Sequence, residues 1–313
     1  MEIPRRIQLT GRNTYIVSLP HEWVQKSGVS KGDGVFLNQN EDGTLTLSLK
    51  KAERELKTVA LEVSAESPAT GMRNIVSAYV GGAGRIVLSG KGTHTIAEEA
   101  RRVLSGVEIT DEEGEKVTLR ILAFEDVQTD NIIKREFNVT QSMFALVMGA
   151  LRDGADTHTE ISRKESEVDR LYLLVLRNLC IGSYKSSESV FKAITAKSME
   201  KVSDHLVELS VLAREGPDAR IAVLLEKAQK AYSSAYKAFA GCELDRGEFG
   251  EARKDFQEEF SRLEAGLRKE KTAARMLGLR SLMEKCNKIV RYAEDILENS
   301  GDMVFARMGG QEI

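Results

Sequence analysis

Two pairs of carboxylates stand out in this chain of 313 residues: Glu165 with Asp169, and Glu200 with Asp204. Each pair is spaced by four in a stretch rich in helix-forming residues, which puts both groups on one helix face, close enough to share a cation. Like charges at that spacing cost roughly a few tenths of a kcal/mol, so a compensating charge is expected. One reading is a solvated face neutralised by Lys164, Arg170 and Lys201. The other is an all-oxygen site on two neighbouring helices for a hard or borderline cation such as iron, manganese, magnesium or zinc, with water filling the remaining positions. That second reading requires carboxylates of the two pairs to approach within about 6 Å.

Patterns of catalytic chemistry do not accompany these carboxylates. A di-iron oxidase bundle needs two Glu-x-x-His pairs, whereas Ala155 and Val202 stand three residues ahead of His158 and His205. GxSxG, HExxH and Walker patterns do not occur. The run Gly81-Gly82-Ala83-Gly84 precedes an expected strand, while a dinucleotide fingerprint must follow one and open a helix, so it reads as a turn. His94 has no acidic or cysteine ligand at metal spacing and reads as a surface residue. The expectation is a binding and regulatory protein, not an enzyme. Cys180, Cys242 and Cys286 are odd in number, far apart and without a CxxC pair, which points to reduced core thiols in a cytoplasm. Lacking any apolar run near the ~20 residues of a bilayer span, or a leader-like N-terminus, the protein is expected to be cytoplasmic, without membrane insertion.

The elements that must position these groups are marked by proline and glycine. Pro4, Pro20 and Pro68 fall early, and Pro217 is the one proline of the remaining chain, which fits long helices. Residues 1–54 read as four short strands and one helix: 7–10 and 15–19 around Gly11, a helix from Pro20 to Lys26, then 35–37 and 44–49 around Asp42-Gly43. Such a module buries too little to stand alone, so dimerisation or docking is expected. Residues 55–127 alternate strand, helix, strand, helix, strand, a small α/β unit with helices on one face of a sheet. From about Gln128 the pattern is helical, and Gly216-Pro217 splits it into halves, 128–216 and 217–313. Met199-Glu200-Lys201 and Met283-Glu284-Lys285 match between the halves, an internal duplication. On a helical wheel, Phe191, Ile194, Val202, Leu206, Leu209 and Ala213 form an apolar stripe opposite Glu200 and Asp204. The fold class is α+β and multidomain, ending in an all-α bundle of two three-helix repeats.

Net charge is −3, and only residues 1–54 are basic, with eight basic and six acidic side chains. Here Arg6-Ile7-Gln8-Leu9-Thr10-Gly11, then Thr14-Tyr15-Ile16-Val17-Ser18-Leu19-Pro20 with Trp23, then Lys31-Gly32-Asp33, resembles the AbrB/SpoVT swapped-hairpin family. The resemblance implies that two chains interlock their hairpins, and that Arg5, Arg6 and Arg12 contact DNA, with Lys26 and Lys31 as weaker phosphate partners. Dimerisation without DNA contact is the competing reading, since backbone neutralisation would want more cations.

The stretches Glu165-Ser166-Glu167-Val168-Asp169-Arg170-Leu171 and Glu200-Lys201-Val202-Ser203-Asp204-His205, set in a duplicated six-helix region, resemble the PhoU family of phosphate-signalling regulators. The AbrB-plus-PhoU order is similar to that of archaeal phosphate-uptake regulators. What this implies is a homodimeric regulator of phosphate homeostasis that contacts a phosphate ABC transporter or an associated signalling protein, and promoter DNA if the N-terminal module binds it, with iron as the first choice of metal. The alternatives are a DNA-binding transcriptional regulator whose bundle is the sensor, and a metal or phosphate storage protein. The second repeat departs from the pattern: Lys288 stands where an aspartate is expected after Glu284, and Asp255/Glu259 is the best remaining acidic pair.

Overall fold

The computed structural model describes residues 4–11, 13–39, 44–49, 57–122, 128–182, 186–244 and 246–308. They fall into two units, Met1–Glu55 and Leu56–Ile313. In the first, β1 (Gln8–Thr10) pairs antiparallel with β2 (Thr14–Ile16), and β3 (Phe36–Gln39) with β4 (Leu45–Ser48), in two separate two-stranded sheets. Between them, α1 (His21–Ser27) follows Pro20 and ends at Gly28, whose left-handed backbone returns its N–H to the last turn. The expected strand 15–19 stops pairing at Ile16, because no further strand of the same chain lies beside it among the described residues. None of the described residues of this unit is buried. Ile7 is 72% and Tyr15 74% exposed, so these apolar strand side chains are left uncovered by the described residues of this unit.

The second unit opens with β5 (Thr58–Glu62), α2 (Pro68–Val80), β6 (Arg85–Ser89), α3 (Thr93–Val103), β7 (Val107–Glu113) and β8 (Lys116–Ile121). The sheet order is β5-β6-β8-β7, with β5 and β6 parallel and the other neighbours antiparallel. Ile75 and Tyr79 of α2 and Ile96, Ala97 and Ala100 of α3 bury against Ile86, Leu88, Val117 and Leu119. Strand β7 is an addition to the expected pattern. It is an edge strand, and after Ile109 it carries Asp111-Glu112-Glu113, which alternation of apolar residues cannot reveal. The glycine run at 81–84 is a turn, as expected; Gly82 has φ +86, and a Cβ there would meet Ile181 at 2.6 Å.

Every described element from Thr129 onward is a helix: α4 (Thr129–Asp153), α5 (His158–Ile181), α6 (Ser186–Glu215), α7 (Ala219–Gly241), α8 (Gly247–Leu267) and α9 (Ala273–Met308). One core runs through all six, built from Met143, Phe144 and Val147, from Val168 and Val175, from Val202, Leu206 and Leu209, and from Tyr232, Phe256, Ile289 and Ile296. The long helices α6 and α9 pack on each other, and α4 packs on α7. Arg177 of α5 is buried, donates to the Tyr79 carbonyl and lies 4.8 Å over the Tyr79 ring, joining the bundle to α2. Two expectations need correction. Ile194 is 43% exposed and falls off the apolar stripe, because α6 rotates to present Thr195 and Met199 inward. Of the three cysteines only Cys286 is in the core; Cys180 is exposed and Cys242 half-buried.

The chain breaks between the halves where Gly216-Pro217 stood in the sequence. Asp218 caps α7, accepting from the Arg220 N–H at 2.9 Å, and also takes the Arg220 guanidinium at 2.7 Å and Arg275 at 2.8 Å. Burial works against its charge, yet these arginines hold its carboxyl below the ordinary aspartate range. Asp218→Ala removes the cap and leaves Arg275 without its carboxylate, while Arg220 keeps Glu270 at 3.0 Å, a cost of about 2 kcal/mol. We expect thermal unfolding of the variant to begin several degrees lower than wild type at neutral pH; an unchanged midpoint would show that the network is not holding the junction.

Candidate metal centre

Helices α5 and α6 are neighbours, and their core-facing residues fix where the carboxylates fall. On α5, Ile161, Val168 and Val175 recur every seven residues toward the core, which leaves Glu165 and Asp169 at the rim of the same face. On α6, Met199, Val202 and Leu206 face inward and set Glu200 and Asp204 at the facing rim. One carboxylate oxygen each of Glu165, Asp169 and Asp204 lies within 4.8 Å of the others. Glu200 stands outside this triad but close to it. At 9% exposure it is no solvated residue opposite the apolar stripe, as the helical wheel had it; the packing of α6 against its neighbours draws it inward. Its Oε2 lies 2.8 Å from Lys197 and 3.4 Å from Lys201, and Lys201 also meets Asp204 at 2.7 Å.

A fifth carboxylate was not among the sequence candidates. Glu136 of α4 is wholly buried, and neither of its oxygens has a hydrogen-bond partner. It was legible in principle: it lies four residues after Ile132 and three after Ile133, on the stripe continued by Val139, Thr140 and Met143, and a charge on an apolar stripe is a signal in itself. The neighbouring Lys134-Arg135 gave it the look of a surface charge run.

The second repeat is built differently at the corresponding places. Glu284 pairs with Arg280 at 3.3 Å, Glu259 with Arg262 at 2.8 Å, and Asp255 stands 4.0 Å from Lys227. Lys285 reaches across to Glu208 of α6 at 2.6 Å. Its carboxylates are thus answered by arginine and lysine, and Glu165, Asp169 and Asp204 form the one converging acidic group among the described residues. In the N-terminal unit Arg5 and Arg6 are exposed just ahead of β1, Lys26 lies in the last turn of α1 and Lys31 in the turn beyond it. Arg12 lies outside the described residues.

Crowding perturbs the acids in one direction. Burial first, then the charges of Glu165, Glu200 and Asp204, push the Asp169 carboxyl up to about 7. Burial and Asp204 raise Glu165, and burial followed by Glu200 and Asp169 raises Glu136 well above the carboxylate range. A carboxyl that titrates higher in the folded chain than in the unfolded one lowers stability as pH rises between the two values, here from about 4 to about 7. At about 1.4 kcal/mol per unit, the penalty for Asp169 above that window is at most a few kcal/mol. With chelator present, Asp169→Asn should therefore melt higher than wild type near pH 8 and no higher below about pH 4. A variant that melts lower at pH 8 would mean that the charge is not under strain.

Comparison with known families adds two matches. Residues 8–55 match the family model described as antidote-toxin recognition MazE, bacterial antitoxin, and residues 133–212 match the PhoU domain. The second match spans α4, α5 and most of α6, and so includes Glu136, Glu165, Asp169, Glu200 and Asp204. No curated protein matches the chain. Among the described residues no helix is long and apolar enough to cross a membrane. The chain thus carries an N-terminal segment similar to the MazE antitoxin family ahead of a helical segment similar to the PhoU domain.

Proposed function

We propose that this chain regulates phosphate uptake through protein contacts of a cation-binding helical bundle, working as a dimer held by its N-terminal module. The observation that carries the reading is the approach of Glu165, Asp169 and Asp204 within a stretch that matches the PhoU domain. The donor set fits a hard cation: all ligands are oxygens, they come from adjacent helices, and the neighbouring helix α4 carries a buried carboxylate without a partner, Glu136. Glu165, Asp169 and Asp204 would hold the ion, with Glu200 at its edge, and the ion would supply positive charge at a place that otherwise retains protons. Iron is the first choice, ahead of manganese, magnesium and zinc. Lys201, paired with Asp204 and Glu200, gives up those contacts when the ion binds. The partners we assign are a phosphate ABC transporter or its signalling protein, contacted by the bundle, and no catalytic step is assigned to the chain.

The N-terminal module supports dimerisation on physical grounds, because its strands expose Ile7, Leu9, Tyr15, Phe36, Leu37 and Leu45 and bury nothing. A second chain that interlocks these hairpins would cover that apolar surface. A second reading, a DNA-binding transcriptional regulator whose bundle is the sensor, rests on the exposed Arg5 and Arg6 with Lys26 and Lys31 in the same module. Two copies would bring these cations onto one assembly.

Loading the metal-free protein with Fe²⁺, Mn²⁺, Mg²⁺ or Zn²⁺ in a calorimeter tests the bundle. Binding to wild type and a loss of tenfold or more in Asp169→Asn/Asp204→Asn is the expected result, and no binding of any of the four ions removes the cation from the proposal. Deleting the gene should change cellular phosphate accumulation; unaltered accumulation and transporter transcript would defeat the phosphate assignment. For the module, sedimentation should give a dimer, and Arg5→Ala/Arg6→Ala should abolish retardation of promoter DNA while the dimer persists. If wild type retards no DNA at roughly 50 mM salt, where phosphate contacts are strongest, the module serves dimerisation alone.

A further inference from the structure

Glu136 has no role in the triad, and its setting is hard to explain without a ligand. It sits on the core-facing stripe of α4, fully buried, with both carboxylate oxygens unpartnered. The charges that reach its carboxyl are those of Glu200 and Asp169, opposed by Lys197. Lys197 is itself engaged, 2.8 Å from Glu200 and 4.7 Å over the Tyr172 ring. The buried Tyr232 of α7 also senses the Glu136 charge, which after burial helps to push its hydroxyl up. A bundle core lined by Phe144, Met143 and Val139 has no packing use for a carboxylate, and an apolar residue would fill the place without desolvating a charge.

We propose that Glu136 is the inner ligand of the cation site, contributed by α4, so that one bound ion ties together all three helices of the first repeat. The inference rests on the cation-binding reading above and deepens it. Helix α4 packs on both α5 and α6, and Arg135, next to Glu136, pairs at 2.7 Å with Glu167, which lies between Glu165 and Asp169, so the Glu136 turn of α4 stands against the acid-bearing turn of α5. The ligand class is a small divalent cation that accepts carboxylate oxygens from separate helices, such as Mn²⁺ or Fe²⁺. Binding would then do more than neutralise surface charge: it would fix the position of α4 against α5 and α6, and through α4 the neighbouring α7.

The test compares wild type, Glu136→Gln, Glu136→Met and Asp204→Asn, each as the full chain stripped with chelator and titrated with Mn²⁺ and, without oxygen, Fe²⁺. Both Glu136 variants should melt at or above the wild-type temperature when metal-free, because a buried carboxyl is removed, yet bind Mn²⁺ at least tenfold more weakly. Their thermal stabilisation by saturating Mn²⁺ should also be smaller than that of wild type. Should they bind as tightly as wild type while Asp204→Asn binds weakly, Glu136 is not a ligand and the rim site stands without it. If wild type takes up neither ion, the cation reading fails and this inference with it. The methionine variant also excludes an amide oxygen acting in place of the carboxylate, so weak binding by both replacements identifies the lost donor.

Discussion

A carboxylate taken out of water beside other carboxylates must be offset by a proton or a cation, and the first three bundle helices impose that condition on Glu136, Glu165, Asp169 and Glu200 together with Asp204. The apolar seam between α4, α5 and α6 is what enforces it. Val168 and Val175, Met199, Val202 and Leu206, and Met143 and Val147 pack into one core, beside which Glu165, Asp169 and Asp204 converge. Lys201, paired with Asp204 at 2.7 Å, meets the condition in part.

The two repeats share a helical plan and differ in this one respect. In the second, Arg280, Arg262 and Lys227 stand beside the acids, and Lys285 and Lys288 of α9 face α6 rather than a partner aspartate. Lys285 with Glu208, together with the stacking of His205 on Tyr292 at 5.7 Å, uses that charge to join the repeats. The Asp218 network at the junction keeps the two in fixed register.

The N-terminal module obeys a different constraint, that of size. With two hairpins and a seven-residue helix it places no described residue in a core, so its own burial cannot offset the entropy of ordering it. Its strands are apolar all the same.

Much of the architecture was legible in the chain because it depends on local chemistry. Scarce proline with periodic Leu, Ala and Met marks long helices, Gly216-Pro217 marks the junction between Glu215 and Ala219, and glycine clusters mark the turns of the sheet unit. The pairs Glu165/Asp169 and Glu200/Asp204 were visible as pairs because a spacing of four is a property of one helix. Which of the four meet, how deep Glu200 lies and whether Lys201 or Arg170 answers them depend on how α5 and α6 rotate against each other, and no single helix encodes that. Strand β7 escaped notice because its edge position asks little of its side chains, and Glu136 because its burial is decided by α5, α6 and α7 closing over α4. Spacing along one element determined which groups could act together; only the packing of several elements decided which of them lost their water, since desolvation is a property of neighbours far apart in the chain.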